Sequence, residues 1–137
     1  MGTHATIYVQ VDPNTIKYSY LHWDGYPGNA GKTLVGHYNT HEQAVALIEL
    51  GDMSQLQPSI ECPGEHSYDH PEPGCCVFYG RDRGERNTAP KVFRVSSFSG
   101  VYEYAMPDTH YSYYWNGECW NYVARDTTCL KMNVTDF

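Results

Sequence analysis

The chain opens with two stretches in which apolar and polar positions alternate, a pattern typical of half-buried β-strands. The first covers 6–11. The second covers 15–23, with apolar and aromatic side chains at the even-numbered positions from Ile16 to His22. Asp12-Pro13-Asn14 separates the two with residues that favour a tight turn. The pattern therefore predicts a strand, a turn and a second strand at the start of the fold.

Two consecutive helices are predicted next, after a loop rich in glycine. The first spans about 31–38 and the second about 40–51. Thr40 followed by Gln43 forms a capping box, and Gly51 stands where a glycine commonly follows the end of a helix. Apolar side chains recur at helical spacing in the second segment, so one of its faces is expected to pack on the sheet.

The rest of the chain combines irregular segments with short strands. Residues 52–74 contain four prolines and no periodic pattern, and 81–86 are predicted to form a charged loop. Asn116-Gly117 is a strong hairpin signal between two aromatic strands. The predicted strands are 75–79, 91–98, 101–105, 110–115 and 118–124.

These elements predict one domain over residues 1–137 with an α+β fold. We expect an antiparallel sheet of about five to seven strands, with the two helices packed on one face. Hydrophobic residues make up 41% of the chain and charged residues 18%, which argues against disorder. No stretch is long and apolar enough for a transmembrane helix, so no membrane partner is expected.

Cysteine usage predicts a reducing compartment. The count of five is odd, and the N-terminal segment lacks the pattern of a secretory signal. Disulfides are rare in the cytosol, so we expect reduced cysteines rather than a disulfide framework.

Negative charge is concentrated in the first part of the chain. The net charge is −7, and residues 1–80 carry nine acidic and two basic side chains, whereas 81–137 carry seven of each. An acidic surface repels phosphate backbones, so direct binding of duplex nucleic acid is not expected. The same field favours a basic protein surface. Increased solubility is the simpler interpretation.

A zinc site is the first candidate for chemistry. Cysteine and histidine are the side chains that zinc prefers, and a metal would order the irregular segment. The segment lacks a Cys-x2-Cys pair, and neighbours such as Cys75 and Cys76 point to opposite faces of a strand, so only one of them is expected to bind. The alternative is a cysteine in the core and exposed histidines. Zinc is the one cofactor suggested, with the ligands Cys62, His66, His70 and Cys75.

A site for a small anionic, nucleotide-like ligand is the second candidate. Trp23 and Tyr26 offer rings for stacking, and basic side chains offer charge for a phosphate. His22 or His37 would act as the acid–base group if the ligand were hydrolysed. Alternatively, the rings seal a core edge and the arginines pair with neighbouring carboxylates. The predicted ligand-binding set is His22, Trp23, Asp24, Tyr26, Lys32, His37, Arg81 and Arg83.

The segment from Gly28 to Thr33 ends like a phosphate-binding loop. The full pattern requires a glycine at position 26, which is Tyr26 here, so a Walker-type NTPase is not predicted. A glycine-rich loop that opens a helix still offers unpaired backbone N–H groups to an anion, and Lys32 would add charge.

Aromatic content is the third unusual feature. The chain has thirteen tyrosines and three tryptophans, and 101–104 and 111–115 place aromatic rings on both faces of their strands. One face is expected to fill the core. The other either presents tyrosine to a protein partner or a second copy of the chain, or is buried as well.

Two motif blocks stand out in the sequence: 20–27 with its His-Trp-Asp-Gly-Tyr-Pro motif, followed by Gly31, Thr33-Leu34 and His37-Tyr38, and then 66–69 with 79–84. These blocks resemble a family of short proteins found in bacteriophages and prophages. The likeness covers about residues 5–125 and implies a small phage accessory protein that acts in the cytoplasm of a bacterial host. Such proteins often inhibit host enzymes or antiviral defence. The family has no established activity, and Cys62, Cys75 and Cys76 are not part of its pattern.

We therefore expect a phage accessory protein without catalytic activity, which inhibits a host defence component by binding through an acidic, tyrosine-rich surface. One alternative is binding or hydrolysis of a nucleotide-like molecule between the 22–33 loop and the arginines at 81–83. Another is a zinc-ordered structural module. The sequence contains no Gly-x-Ser-x-Gly and no His-Glu-x-x-His motif, so no catalytic residue is predicted.

Overall fold

The computed structural model describes residues 3–61, 64, 66–94, 111–124 and 130–131. Their fold is α+β, as the sequence predicts. The predicted strand at 101–105 lies outside the described residues. The strands are β1 (Ala5–Asp12), β2 (Thr15–Leu21), β3 (Met53–Gln55), β4 (Val77–Phe78), β5 (Lys91–Arg94), β6 (Tyr111–Trp115), β7 (Trp120–Ala124) and β8 (Leu130–Lys131). The helices are α1 (Lys32–His37), α2 (His41–Glu49) and α3 (Tyr79–Arg83), and a π-helical turn covers Pro27–Gly31.

The sheet is mixed rather than antiparallel, which corrects the prediction. Its strand order is β4-β3-β2-β1-β6-β7-β8, and β5 pairs with β2. β1 and β2 form the predicted antiparallel hairpin, but β1 also pairs in parallel with β6, and β2 with β3. Alternation along one strand does not reveal which distant strand lies beside it or in which direction, so the sequence left this pairing undetermined.

The two predicted helices are confirmed. Thr40 caps α2 by accepting a hydrogen bond from the backbone N–H of Gln43 at 3.2 Å, and Gly51 follows the helix with a φ of +83°. Ala44, Leu47 and Ile48 of α2 are buried and join the main core cluster. Within the part of the chain that the structure describes, no helix is long and apolar enough to cross a bilayer.

The sheet face opposite α2 carries a ladder of tyrosines. Tyr8 stacks on Tyr18 with ring centroids 5.2 Å apart and on Tyr114 with centroids 4.7 Å apart. Tyr8 and Tyr114 are fully buried, and so is Tyr113 on the other face of β6. Both faces of β6 are therefore covered. Of the tyrosines whose side chains are described, Tyr26 alone is classed as exposed. For β6 the structure confirms the alternative of burial on both faces, because Tyr113 and Tyr114 fill the interior on the two sides of the sheet. The other predicted aromatic segment, 101–104, lies outside the described residues.

Candidate functional site

The loop that follows β2 exposes two large aromatic side chains. Trp23 is 42% exposed and Tyr26 is 44% exposed. Asp24 lies between them, is exposed, and has a φ of +54°, in the left-handed region that side chains rarely adopt. We call the segment His22 to Tyr26 the contact loop. An exposed carboxylate on a left-handed backbone, between two exposed rings, marks this loop as a candidate site.

Strand pairing fixes the start of the contact loop. The backbone N–H of His22 donates to the carbonyl of Met53 at 3.1 Å, and that of Trp23 donates to the carbonyl of Ser54 at 3.0 Å. These bonds continue the pairing of β2 with β3 beyond Leu21. The Trp23 backbone is therefore held by the sheet.

Gly25 joins the centre of the contact loop to the core. Its N–H donates to the carbonyl of Thr3 at 2.7 Å, and its carbonyl accepts from the Tyr113 hydroxyl at 2.6 Å. A Cβ at this position would stand 2.7 Å from the Cβ of Ala5 and 2.8 Å from the Thr3 oxygen. Glycine is required because the backbone of the loop lies directly against β1.

The π-helical turn fixes the end of the contact loop. The Tyr26 carbonyl accepts from the N–H groups of Asn29 and Ala30 at 3.0 and 2.9 Å, and the Asn29 amide donates to the Asp24 carbonyl at 2.9 Å. The predicted anion site at 28–33 required unpaired N–H groups. That prediction is wrong for Asn29 and Ala30, because their N–H groups close the turn.

Removing the Tyr113 hydroxyl is expected to loosen the contact loop. Tyr113→Phe leaves the buried Gly25 carbonyl without its donor, so we expect the free energy of unfolding to fall by about 1–2 kcal/mol. Urea denaturation measures this change. Tyr111→Phe is the matched control on the same strand, because the Tyr111 hydroxyl makes no hydrogen bond among the described residues. A loss below about 0.5 kcal/mol is expected there. Equal losses for both variants would contradict the role assigned to Tyr113.

Two histidines and a tyrosine form a cluster at the start of the contact loop: His4, Tyr20 and His22 itself. The Tyr20 hydroxyl is 2.9 Å from His22 Nδ1, and His4 Nδ1 is 2.7 Å from the His22 carbonyl. Burial, and then the nearby His4, lower the pKa of His22, which stays neutral at neutral pH. Among the described residues, the hydrogen-bond partner of the His22 ring is the Tyr20 hydroxyl.

Arg81, predicted to bind an anion, instead holds the irregular segment together. Its guanidinium donates to the carbonyls of Ile60 and Cys76, the latter at 3.0 Å, and to Asp82 Oδ1 at 3.0 Å. It also lies over the Phe78 ring, 4.8 Å from the centroid. The predicted loop over 81–86 is partly helical, since α3 includes its first three residues. Arg81 is therefore an internal crosslink between chain segments.

Asp82 is the centre of this crosslink. Its carboxylate accepts from the backbone N–H of Phe78 at 2.8 Å and lies 3.2 Å from His66 Nε2. Burial raises the pKa of Asp82, but the hydrogen bonds from Arg81 and Phe78 outweigh burial, and the net pKa is lowered. His66 Nδ1 accepts from the N–H of Glu72 at 2.9 Å. Both ring nitrogens of His66 therefore face protein groups.

The predicted zinc ligands that the structure describes, His66, His70 and Cys75, are not arranged to hold a metal ion. Cys75 is disulfide-bonded, so it is not a thiolate ligand, and the expectation of reduced cysteines is also wrong at this position. His66 makes the contacts above, and His70 is exposed. Cys62 lies outside the described residues. The described ranges contain no group of three or more histidine, cysteine or acidic side chains arranged to hold a metal ion.

Cys76 is a buried thiol rather than a reactive one. Its sulfur lies 3.3 Å from the Tyr38 hydroxyl, which donates to the Gln57 carbonyl at 2.7 Å. Burial raises the pKa of Cys76 above its ordinary value, so the thiol stays protonated at neutral pH. This matches the alternative interpretation, in which a cysteine in this segment belongs to the core.

The residues predicted to bind a nucleotide-like ligand fall into separate groups. Lys32 and His37 are exposed on α1, and no described contact joins either of them to Arg81 or Arg83. Arg83 lies over the ring of Tyr68, 4.9 Å from the centroid. The structure thus brings together His22, Trp23, Asp24 and Tyr26 in one loop, and it gives the predicted basic side chains other neighbours.

Sequence reasoning missed the residues that hold the contact loop in place. Thr3 contributes a backbone carbonyl, which carries no sequence signal at all. Tyr113 was predicted only as one ring of an aromatic strand. Asn29, three residues after Tyr26 in a glycine-rich segment, was the one available signal, because asparagine often bonds to nearby backbone in turns.

Comparison with known proteins adds no further constraint on this loop. No protein-family model matches the chain, and no curated protein or solved structure matches it either.

Proposed function

We propose that this chain is a binding protein without catalytic activity, and that it contacts a protein partner through the contact loop. The observation that carries the proposal is the exposure of Trp23 and Tyr26 on a backbone that is hydrogen-bonded along its length. Aromatic side chains of this kind dominate the binding energy of protein interfaces, where they bring much area at little entropic cost.

The rigidity of the contact loop favours this interpretation over simple surface exposure. Ordering a flexible backbone on binding costs roughly 1–2 kcal/mol per residue, and a loop whose backbone is already fixed avoids part of that cost. The left-handed φ of Asp24 and the close approach of Gly25 to Ala5 both require a specific backbone path. A role in binding a partner would explain why this backbone conformation is found at the surface.

Charge indicates the kind of surface that the partner offers. Residues 1–80, which contain the contact loop, carry a net charge of −7, since two basic side chains stand against nine acidic ones. Complementary charge raises association rates and suppresses wrong partners. A basic protein surface is therefore the proposed partner, and the binding rate should fall with added salt.

We further propose a setting for this binding. The contact loop coincides with the His-Trp-Asp-Gly-Tyr-Pro run that resembles phage and prophage proteins, so the segment that carries the likeness is also the segment proposed to bind. On that basis the chain acts in the cytoplasm of a bacterial host as a phage accessory protein, and its partner is a host defence component that it inhibits by occupying a basic face.

Quantitative capture from bacterial lysate tests this proposal. Wild-type protein is compared with a Trp23→Ala/Tyr26→Ala variant and with Val92→Ala, which removes an exposed apolar side chain from β5. We expect the wild type and Val92→Ala to enrich one or more proteins. The captured amount of these proteins should be at least about tenfold lower with the double variant, as expected when two interface hot spots are removed. Equal enrichment by all three would contradict the proposal.

The alternative to a host partner is that the contact loop binds a second copy of this chain. Size-exclusion chromatography with light scattering gives the oligomeric state of the wild type and of the double variant. We expect a monomer in both cases. A wild-type dimer that becomes a monomer in the double variant would mean that the contact loop binds a second copy of this chain, and the proposal of a host partner would fail.

A further inference from the structure

We propose that the contact loop recognises an arginine side chain of its partner, which lies against the Trp23 ring and pairs with the Asp24 carboxylate. This inference rests on the proposed function and specifies the chemistry of the partner. Its parts are an exposed indole, an exposed carboxylate on the next residue, and a second exposed ring at Tyr26.

The chain already places basic groups over its own aromatic rings. Arg81 lies over Phe78 and Arg83 lies over Tyr68, with the guanidinium carbon 4.8 and 4.9 Å from the ring centroid. Lys91 Nζ is farther from its ring, 6.0 Å from the centroid of Tyr18.

The contact loop lacks such a neighbour. In the ranges that the structure covers, no lysine or arginine lies over Trp23 or Tyr26. Nor does any described basic side chain form an ion pair with Asp24. The His22 ring lies edge-on to the Trp23 ring, with centroids 4.7 Å apart. Indole is the side-chain ring that binds cations best, so a partner's cation can contact Trp23 and Asp24 where no described basic side chain does.

Arginine fits these groups better than lysine does. A guanidinium is planar, so it can stack on an indole face while its edge donates hydrogen bonds to a carboxylate. An ammonium group is compact and strongly hydrated, and it gives up water less readily to lie against a ring. The acidic charge of residues 1–80 attracts both cations, so charge alone does not discriminate between them.

Tryptophan signals report directly on this loop. Trp115 and Trp120 are 1% exposed, and their indole N–H groups donate to His41 Nδ1 and to the Tyr38 carbonyl. Trp23 is the one exposed tryptophan among the three in the chain. A ligand at the contact loop should therefore shift the indole N–H resonance of Trp23 and leave the other two unchanged.

The test titrates the full chain with two short glycine-rich peptides that differ only in carrying two arginines or two lysines. Proton–nitrogen NMR follows the indole resonances, and Trp23→Phe assigns the signal of Trp23. We expect a saturable shift of the Trp23 resonance, with the arginine peptide bound about two- to fivefold more tightly than the lysine peptide. Asp24→Asn should remove most of this preference, whereas Val92→Ala should retain it.

The outcomes separate this inference from the proposed function. Equal affinity for both peptides, or a shift unaffected by Asp24→Asn, would overturn arginine recognition. No shift of the Trp23 signal up to the highest peptide concentration would also overturn it. The lysate capture tests a different claim. If the Trp23→Ala/Tyr26→Ala variant fails to capture the partner and the peptide titration also fails, the proposed binding function is supported and only arginine recognition is overturned.

Discussion

Replacing Gly51 with alanine is expected to lower the free energy of unfolding by about 3 kcal/mol, because the position combines a left-handed backbone with a close backbone neighbour. Gly51 has a φ of +83°, and a Cβ there would overlap the carbonyl oxygen of Thr88 and lie 3.0 Å from its carbonyl carbon. That carbonyl accepts the N–H of Asp52 at 2.8 Å. The obstacle is backbone, so a change of side-chain rotamer cannot relieve it.

Gly36→Ala is the matched control for this prediction. Gly36 lies in α1, and a Cβ there would meet nothing within 4 Å. Alanine has the higher helix propensity, so the control should be stabilised by about 0.5–1 kcal/mol. Urea denaturation of both variants measures the difference. A Gly51→Ala variant as stable as the wild type would mean that the junction after α2 does not have the described backbone path.

Asp82→Ala is expected to have an effect of similar size, about 2–3 kcal/mol, because it removes one partner from a largely buried network. The variant leaves the N–H of Phe78 without its acceptor and the guanidinium of Arg81 without its carboxylate. Asp82→Asn keeps an oxygen for Phe78 but loses the charge, so its loss should be smaller. Urea denaturation at neutral pH measures the free energy of unfolding of the wild type, Asp82→Asn and Asp82→Ala, which should decrease in that order.

The pH dependence of this loss follows from the lowered pKa of Asp82. A carboxyl group whose pKa is lower in the folded state adds stability above its unfolded pKa, which is about 3.9, and that stability is lost as the pH falls through the folded pKa. The gap between wild type and Asp82→Asn should thus be largest near pH 7 and should narrow below about pH 4. A gap that stays constant from pH 7 to pH 3 would contradict the charge-based account of Asp82.

The local elements of this fold could be predicted because their signals lie close together in the sequence. Thr40 and Gln43 cap α2 across three positions, and the turn at Asn116-Gly117 joins neighbouring strands. The β1–β2 hairpin likewise pairs residues on either side of a short turn. In each case the residues that interact are those whose spacing the sequence displays.

The features that sequence reasoning missed depend on contacts between distant segments. Arg81 was expected to face a ligand, but it is bound by the carbonyls of Ile60 and Cys76, whose positions only the fold determines. The parallel pairing of β1 with β6 is a second example. The state of Cys75 is a third, because a cysteine's partner cannot be read from an odd count of five.

The candidate site was predicted in part. The sequence singled out Trp23, Asp24 and Tyr26 as possible ligand-binding residues, and the structure gathers these three in one fixed loop. The sequence prediction also grouped these residues with Arg81 and Arg83, which in the structure contact other parts of the chain. The aromatic residues therefore have two roles. Rings such as Tyr8 and Tyr114 fill the interior, whereas those of the contact loop remain exposed.

Fluorine NMR of the chain labelled with fluorotryptophan tests the central claim most directly, because the captured partner adds no signal of its own. Trp23, Trp115 and Trp120 give three resonances, and a solvent-isotope shift marks the exposed one as Trp23. On addition of the captured partner we predict that the Trp23 resonance moves and loses its solvent-isotope shift, while the two buried tryptophans stay unchanged. A stable complex in which Trp23 remains as exposed to solvent as in the isolated chain would contradict the account.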